Sequence, residues 1–447
     1  MTSSDPTIHD LVGIGFGPAN MALGALLQEE EEAPGGPSLH RCFLEARLDP
    51  CWHPGMLLEG SLIQISVLKD LVTVRNPRSR FTFLSYLEEQ GRLFEFLNLK
   101  DLFPSRAEFN DYLNWVAEQL GRDVRWGRRV TAVEPVAAPP GESVEHLRVV
   151  SQDVATGATE EQWTRNVVVA TGGRPWTPDG IELQPDGRAF HSKNFLPALK
   201  ERFPDREAPH RFAVVGAGQS GAELFLYLIT RYPNAEVTAI IRGYGYKPVD
   251  DSDFTNEIFF PSMVDFVYNL PPNRRRAVID SYRDVNYAVV DQPLIKRIYR
   301  LLYDEKVVGK ERARVLPYRR LVRLQEEPGT VSLGLEHLLE GNLEERTFDG
   351  VVLATGFRWG TRHPLLNSLA PYLETEDQGA YRMNRDYSIA SRDDFKPGVY
   401  LQGYAEDTHG IGETVLSLLP IRARDIAHSV FRSLSQAKPA EPVSQVR

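Results

Sequence analysis

Three glycines, Gly216, Gly218 and Gly221, have a spacing that can do chemistry. They follow a run of apolar, β-branched residues in Phe212–Glu223, FAVVGAGQSGAE, and lead into a helical pattern, AELFLYLI. In such a turn the first glycine permits the tight bend and the second lets backbone approach a pyrophosphate. The third lets the helix pack close to its strand. Unpaired N–H groups and the helix dipole then favour the phosphate charge. A similar turn lies near the N-terminus, in Asp10–Gly24, DLVGIGFGPANMALG. Gly13, Gly15 and Gly17 form it, Pro18 replaces the usual third glycine, and Asn20 follows. Proline suits a first helical turn, where its missing N–H would be unpaired anyway. Two such turns predict two dinucleotides, one passing electrons to the other.

Charged residues after the neighbouring strands refine this. In RCFLEAR, Glu45 stands where a dinucleotide fold places the acid that binds a ribose hydroxyl pair. The loop EEEEAPGGPS delays it beyond the usual spacing of about 20 residues. The strand AEVTAIIRG ends in Arg242, whose charge suits a 2′-phosphate and so NADPH over NADH. Lys69 lies in a mainly apolar stretch, LIQISVLKDLVTVRNP, with Gln64 before it. An ammonium there needs a partner or must reach the surface. Asn256 and Asn286 are polar residues in apolar company, open to a ligand role or to backbone capping.

The elements that must position these residues read as an α/β fold. A chain of 447 residues suits two or three domains, and 42% hydrophobic with 25% charged residues fits a soluble globular protein. The net charge, 51 − 61 = −10, argues against a nucleic-acid binder. Cys42 and Cys51 match neither a C-x-x-C nor a zinc pattern, and so few cysteines suggest a reducing compartment. No metal-ligand cluster appears. The N-terminus lacks a signal core and no apolar run could span a membrane, so a cytoplasmic protein is expected. NVVVATGG and VVLATGF are buried strands ending alike; Thr171 and Gly172 match Thr355 and Gly356, small residues that permit close approach to a cofactor. Such strands are expected to return the chain to the first nucleotide domain. FTFLSYLEEQGRLFEFL and PSRAEFNDYLNWVAEQL predict two amphipathic helices, and Val124–Val150 a β-meander interrupted by AAPPGES. The expectation is a Rossmann-like domain, 1–205 and 346–432, with a second inserted at 206–345. The insert carries a substrate-binding helical segment at about 250–310, and residues 433–447 form a disordered polar tail.

GIGFGPAN, WHPGM, QISVLKDLVT, NPRSRFTFLSYL, GAGQSGAE, DDSDFTNEIF, NYAVVD, DGVVLATGF and HGIGETVLS together resemble the N-hydroxylating flavin monooxygenases of siderophore biosynthesis. These are the L-ornithine N5- and L-lysine N6-monooxygenases, and the likeness runs from about Asp10 to Ala427. The resemblance implies FAD and NADPH in a two-dinucleotide flavoprotein. Gly13, Gly15, Gly17, Pro18 and Asn20 would hold the FAD diphosphate, with Glu45 on the ribose. Trp52, His53 and Gln64 would border the isoalloxazine. Gly216, Gly218, Gln219, Ser220 and Arg242 would hold NADPH, and Thr355 and Gly356 would approach the cofactor. Lys69 would meet a substrate carboxylate, Asn256 and Asn286 its α-amino end, and Ser417 would line the cavity. A flavin hydroperoxide would oxidise a side-chain amine with O2, without a catalytic side chain. The family's members are often homotetramers.

Some positions depart from the ornithine pattern: Ile63, Val67, Phe260, Ala288 and the pair Gly412-Glu413. They are expected to cluster at the substrate end, which leaves L-ornithine, L-lysine and a diamine such as putrescine or cadaverine open. Lys69 favours a substrate with a carboxylate. His191-Ser192 and Phe195, in HSKNF, match part of a wider flavin-monooxygenase fingerprint, so a Baeyer–Villiger or sulfur-oxygenating enzyme is the rival class. A disulfide reductase would need closely spaced redox cysteines, and an inactive flavin sensor would bind flavin without turnover.

Overall fold

The computed structural model describes residues 7–136, 139 and 142–437. Short strands, the central ones apolar and mostly buried on both faces, form two five-stranded parallel sheets. The first runs Gly398–Leu401, Asn166–Val169, Leu11–Ile14, Arg41–Leu44 and Val124–Arg125 across the sheet. The second runs Ala189–His191, Gly350–Leu353, Arg211–Val215, Glu236–Ile240 and Ala313–Leu316. In each sheet the middle strand leads into a glycine turn and helix: Pro18–Glu32 in the first, Gln219–Arg231 in the second.

The repeated Ala-Thr-Gly strands occupy equivalent places in the two sheets. Asn166–Val169 flanks the middle strand of the first, and Gly350–Leu353 flanks that of the second, with Val214 opposite Val352. The expectation that the later strand belongs to the first domain is therefore corrected. The second sheet spans Ala189 to Leu353, wider than 206–345, because Val351, Val352 and Leu353 complete its core. The chain crosses between the sheets where Phe357–Arg358 pairs antiparallel with Arg174–Pro175.

An antiparallel meander precedes each Ala-Thr-Gly strand. The first joins Arg128–Pro135, Leu147–Asp153 and Thr159–Thr164; four residues of its AAPPGES loop (137, 138, 140 and 141) lie outside the described residues. The second joins Arg319–Glu327, Thr330–His337 and Leu343–Phe348.

Among the helices, Arg106–Gln119 forms as expected, with the Ser105 hydroxyl accepting the Glu108 N–H. The preceding predicted helix is two, Phe83–Glu89 and Leu93–Asn98, broken at Gly91 with φ +67°. The 250–310 segment holds Asp253–Asn256, Pro261–Tyr268, Pro272–Ser281 and Gln292–Val307. The terminal helix, Leu419–Ala437, packs on Pro18–Glu32. It corrects the tail predicted from 433: Leu434 packs on the first core, so the helix continues to Ala437. Residues 438–447 lie outside the described residues.

Candidate active site

The first turn has the shape of a diphosphate cradle. Gly15 takes φ +83°, and a Cβ there would sit 2.6 Å from the Ala170 carbonyl oxygen. A Cβ on Gly13 would lie 2.2 Å from the Phe43 ring on the neighbouring strand and 3.2 Å from Asn20 Nδ2, so no side chain fits where the strand enters the turn. A Cβ on Gly17 would meet nothing within 4 Å, and Pro18 opens the helix beside it. That open space over a helix N-terminus fits a dinucleotide phosphate. Glu45 turns back to this turn: its two carboxylate oxygens accept the Phe16 N–H at 2.7 Å and the Arg47 N–H at 2.9 Å. A carboxylate has lone pairs left for ribose hydroxyls. Asn20 is corrected from cofactor contact to turn-shaping residue. It is buried, donates to the Gly15 carbonyl at 2.7 Å and accepts from Gln402 at 2.9 Å.

At the second turn, Gly216 has φ +144° and its Cβ position lies 2.2 Å from the Ala354 carbonyl oxygen. Gly221 packs its helix so closely that a Cβ would come 2.5 Å from the Gly216 carbonyl oxygen. The Ala288 Cα lies 3.6 Å from where a Gly218 Cβ would stand, so the 286–290 loop borders this turn. Gln219 is committed to that loop and to its own helix. Its amide donates to Asp291 Oδ1 at 2.5 Å and Glu223 at 3.0 Å, and its carbonyl accepts the Asp291 N–H at 2.9 Å. These bonds tether the loop to the helix, and Gln219 also lines the cleft beside the turn. Ser220 and Arg242 are exposed, and among the described residues Arg242 makes no ion pair. Both are free to meet phosphate.

Three sequence motifs converge between the sheets. Trp52 donates its backbone N–H to Asn110 at 2.6 Å and sets its ring edge-on to His53. His53, at φ +49°, meets Phe357 at 6.0 Å, and Phe357 meets His191 at 5.3 Å. Crowding by protein, then the cations of Arg106, Arg47 and Lys193, lowers the His53 pKa to about 4, although part of the ring is open to solvent. His191 Nε2 lies 2.9 Å from the Gly356 carbonyl oxygen. The Thr355 hydroxyl donates to the Trp176 carbonyl and so fastens the crossing; Gly356, at φ +85°, leaves its Cβ position open. Gln64 is exposed and shares a cleft of about 410 Å³ with Gln219, Glu223 and Asp291.

A second convergence forms a wall. Lys69 ends the short turn Val67–Lys69, half-buried and without an ion pair among the described residues. That turn packs against Leu416–Leu418, which holds the buried Ser417. The neighbouring turn Ile411–Thr414 packs on Glu257–Phe259, directly after Asn256. Asn256 donates to the Asp251 carbonyl at 2.8 Å, a capping bond within its own loop. Asn286 is half-buried, with no side-chain partner among the described residues.

The model of the L-lysine 6-monooxygenase/L-ornithine 5-monooxygenase family matches residues 7–359. The chain belongs to that family. An L-ornithine N(5)-monooxygenase from Burkholderia cepacia is 43% identical over 408 residues, 90% of each chain. A solved ornithine hydroxylase from Pseudomonas aeruginosa is 38% identical, with TM-score 0.89 over 96% of this chain and 100% of that one. An ornithine N-hydroxylase from Kutzneria sp. 744, solved with reduced FAD, NADP+ and L-ornithine, is 36% identical, with TM-score 0.89 over 95% and 99%.

This N-monooxygenase family member therefore has a two-dinucleotide flavoprotein fold. No helix among its described residues is long and apolar enough to cross a membrane. Four of its departures from the ornithine pattern fall on or beside the wall that holds Lys69 and Ser417: Val67 in the turn packed on Leu416–Leu418, Gly412 and Glu413 in the turn packed on Glu257–Phe259, and Phe260 directly after it. Ile63 and Val67 lie in the first core, Ala288 takes φ +59° beside the second glycine turn, and Phe260 is exposed. Gly412 and Glu413 are buried. Sequence reasoning missed a fork between the sheets. Arg106, opening one helix, donates to both Glu223 oxygens at 3.0 and 2.9 Å, and to the Met56 carbonyl at 2.9 Å. Ser105 announces the helix start, but nothing local announces a partner so far along the chain.

Proposed function

We propose that this chain N-hydroxylates the side-chain amine of L-ornithine with FAD, NADPH and O2, for hydroxamate siderophore assembly. The observation that carries the substrate is Lys69: a half-buried ammonium without a protein anion, on the wall shared with Ser417. A carboxylate at the α-end of an amino acid answers that charge, and a diamine has none. The names of the relatives support the same substrate.

Gly13, Gly15, Gly17 and Pro18 would hold the FAD diphosphate, with Glu45 on the ribose and Trp52, His53 and Gln64 beside the ring. Gly216, Gly218, Ser220 and Arg242 would hold NADPH. Bound FAD, reduced by NADPH, supplies the O2 activation and the transfer of one oxygen atom to nitrogen. The chain's own residues bind and orient. Lys69 fixes the carboxylate, Asn286 presents a free amide to the α-amino group, and Ser417 lines the path of the side chain. Anchoring the α-end sets how far the amine reaches, so chain length becomes the selected property. The amine must arrive neutral, although in water it titrates near ~10.4. A cytoplasmic location belongs to the proposal, supported by two free cysteines and the need for NADPH. So does a homotetramer, on family likeness.

The test measures hydroxylamine and peroxide together, with L-ornithine, L-lysine, putrescine and cadaverine, in wild type and Lys69→Met. Coupled product from L-ornithine, with KM raised roughly 10- to 100-fold by the substitution, supports the reading, since one hydrogen-bonded charge contributes about 1.5–3 kcal/mol. Preferred coupled turnover of a diamine, unchanged in Lys69→Met, overturns it.

A further inference from the structure

A buried polar chain runs from the first glycine turn to the substrate wall, and the site described so far leaves most of it unused. It starts at the Gly15 carbonyl, which accepts from Asn20 at 2.7 Å. Asn20 accepts from the Gln402 amide at 2.9 Å, and Gln402 accepts from Arg422 Nε at 2.9 Å. Arg422 then donates to the Glu413 carbonyl, and its Nη1 lies 2.7 Å from the Glu413 carboxylate as a charge contact. The other Glu413 oxygen accepts the Gly403 N–H at 2.6 Å. Asn20, Gln402, Glu413 and Arg422 are all at least 96% buried.

The placement of these groups matters more than their number. Asn20 belongs to the helix that opens the diphosphate cradle. Gln402 and Gly403 follow the edge strand Gly398–Leu401, and Gln402 gives its own N–H to the Val169 carbonyl at 2.9 Å. Glu413 and Arg422 bracket Ser417, one in the turn before it and one on the helix after it. A guanidinium and a carboxylate in an apolar interior cost more than a packed hydrocarbon pair, so such groups contribute most through the arrangement they enforce. Rearranging any one link leaves a buried donor or acceptor unpaired.

We infer that Gln402 and Arg422 are positioning residues that couple the flavin diphosphate turn to the substrate wall, so that FAD at the turn orders 403–418. This rests on the reading of the first turn as the FAD site, not on the choice of amine. Coupling is reciprocal: a substrate that fixes the wall tightens FAD by the same factor.

Hydrogen exchange across 403–418, with and without FAD and with no amine present, tests it in wild type, Gln402→Met and Gln402→Glu. Methionine severs both side-chain links. Glutamate still accepts from Arg422 but, ionised, no longer donates to Asn20. The expected result is FAD-dependent protection of 403–418 in wild type, lost in both variants, with FAD binding weakened about tenfold. Retained protection in Gln402→Glu, or equal protection in all three proteins, overturns the coupling. If Gln402→Met does not fold, the glutamate variant, which keeps the Arg422 bond, decides alone. Failure of wild type to bind FAD at all overturns instead the assignment of the first turn.

Discussion

His409 shows how one side chain's surroundings set a property of the protein. Its Nε2 lies 3.1 Å from the Arg385 carbonyl oxygen and its Nδ1 2.8 Å from the Thr408 hydroxyl. A neutral ring satisfies both, donating to the first and accepting from the second. Burial, then the nearby arginines, lowers its pKa from 6.5 to about 4. The unfolded chain therefore takes up the proton first as pH falls. The stability tied to the neutral ring is complete above about 6.5 and is lost between 6.5 and 4, by about 1.4 kcal/mol per pH unit. The apoprotein is expected to lose about 2 kcal/mol from this residue between pH 6.5 and 5. His409→Gln should flatten that part of the stability profile, read as denaturant midpoints at the two pH values. At this scale the sequence was a partial guide. It named residues beside each turn but not where their side chains point, which is why Asn20, Gln219 and Thr355 turn out to be bonded within the protein.

Elements were more legible, because periodicity and glycine spacing are local. The Gly216–Gly221 turn formed as its spacing implied, and Ser105 began its helix where expected. What failed was composition-based judgement. One long amphipathic pattern hid the break at Gly91, and a polar tail hid the last turn of the terminal helix, which tertiary contacts sustain. The close approach at Gly221 gives a test at this level. A methyl group 2.5 Å from the Gly216 carbonyl must push the helix off its turn. Gly221→Ala is expected to cost about 1–3 kcal/mol and to abolish detectable NADP+ binding by calorimetry while FAD remains bound.

For the molecule as a whole, the Ala-Thr-Gly repeat was visible in the sequence, but its meaning was not. Sheet membership depends on pairing between strands far apart in the chain, and only the fold shows that each repeat flanks the middle strand of its own sheet. The Arg106–Glu223 fork is a contact of the same long-range kind, its side chains 12% and 7% exposed. Removing one partner leaves the other charge buried without a counter-charge, with only the Gln219 amide on Glu223 or the Met56 carbonyl on Arg106. Arg106→Met should therefore cost about 3–5 kcal/mol, while Arg106→Met with Glu223→Leu should recover much of it. Thermal unfolding of the four proteins of that cycle measures the coupling; additive losses would show that the fork does not hold the sheets together. The order of strands also sets a timetable for synthesis. Every strand of the second sheet lies between Ala189 and Leu353, whereas the first sheet waits for Gly398–Leu401. At about 5–20 residues per second, a ribosome needs roughly 2–10 s to cover the interval. Throughout it, the edge of Asn166–Val169 has no strand on one side and is open to pairing with another chain.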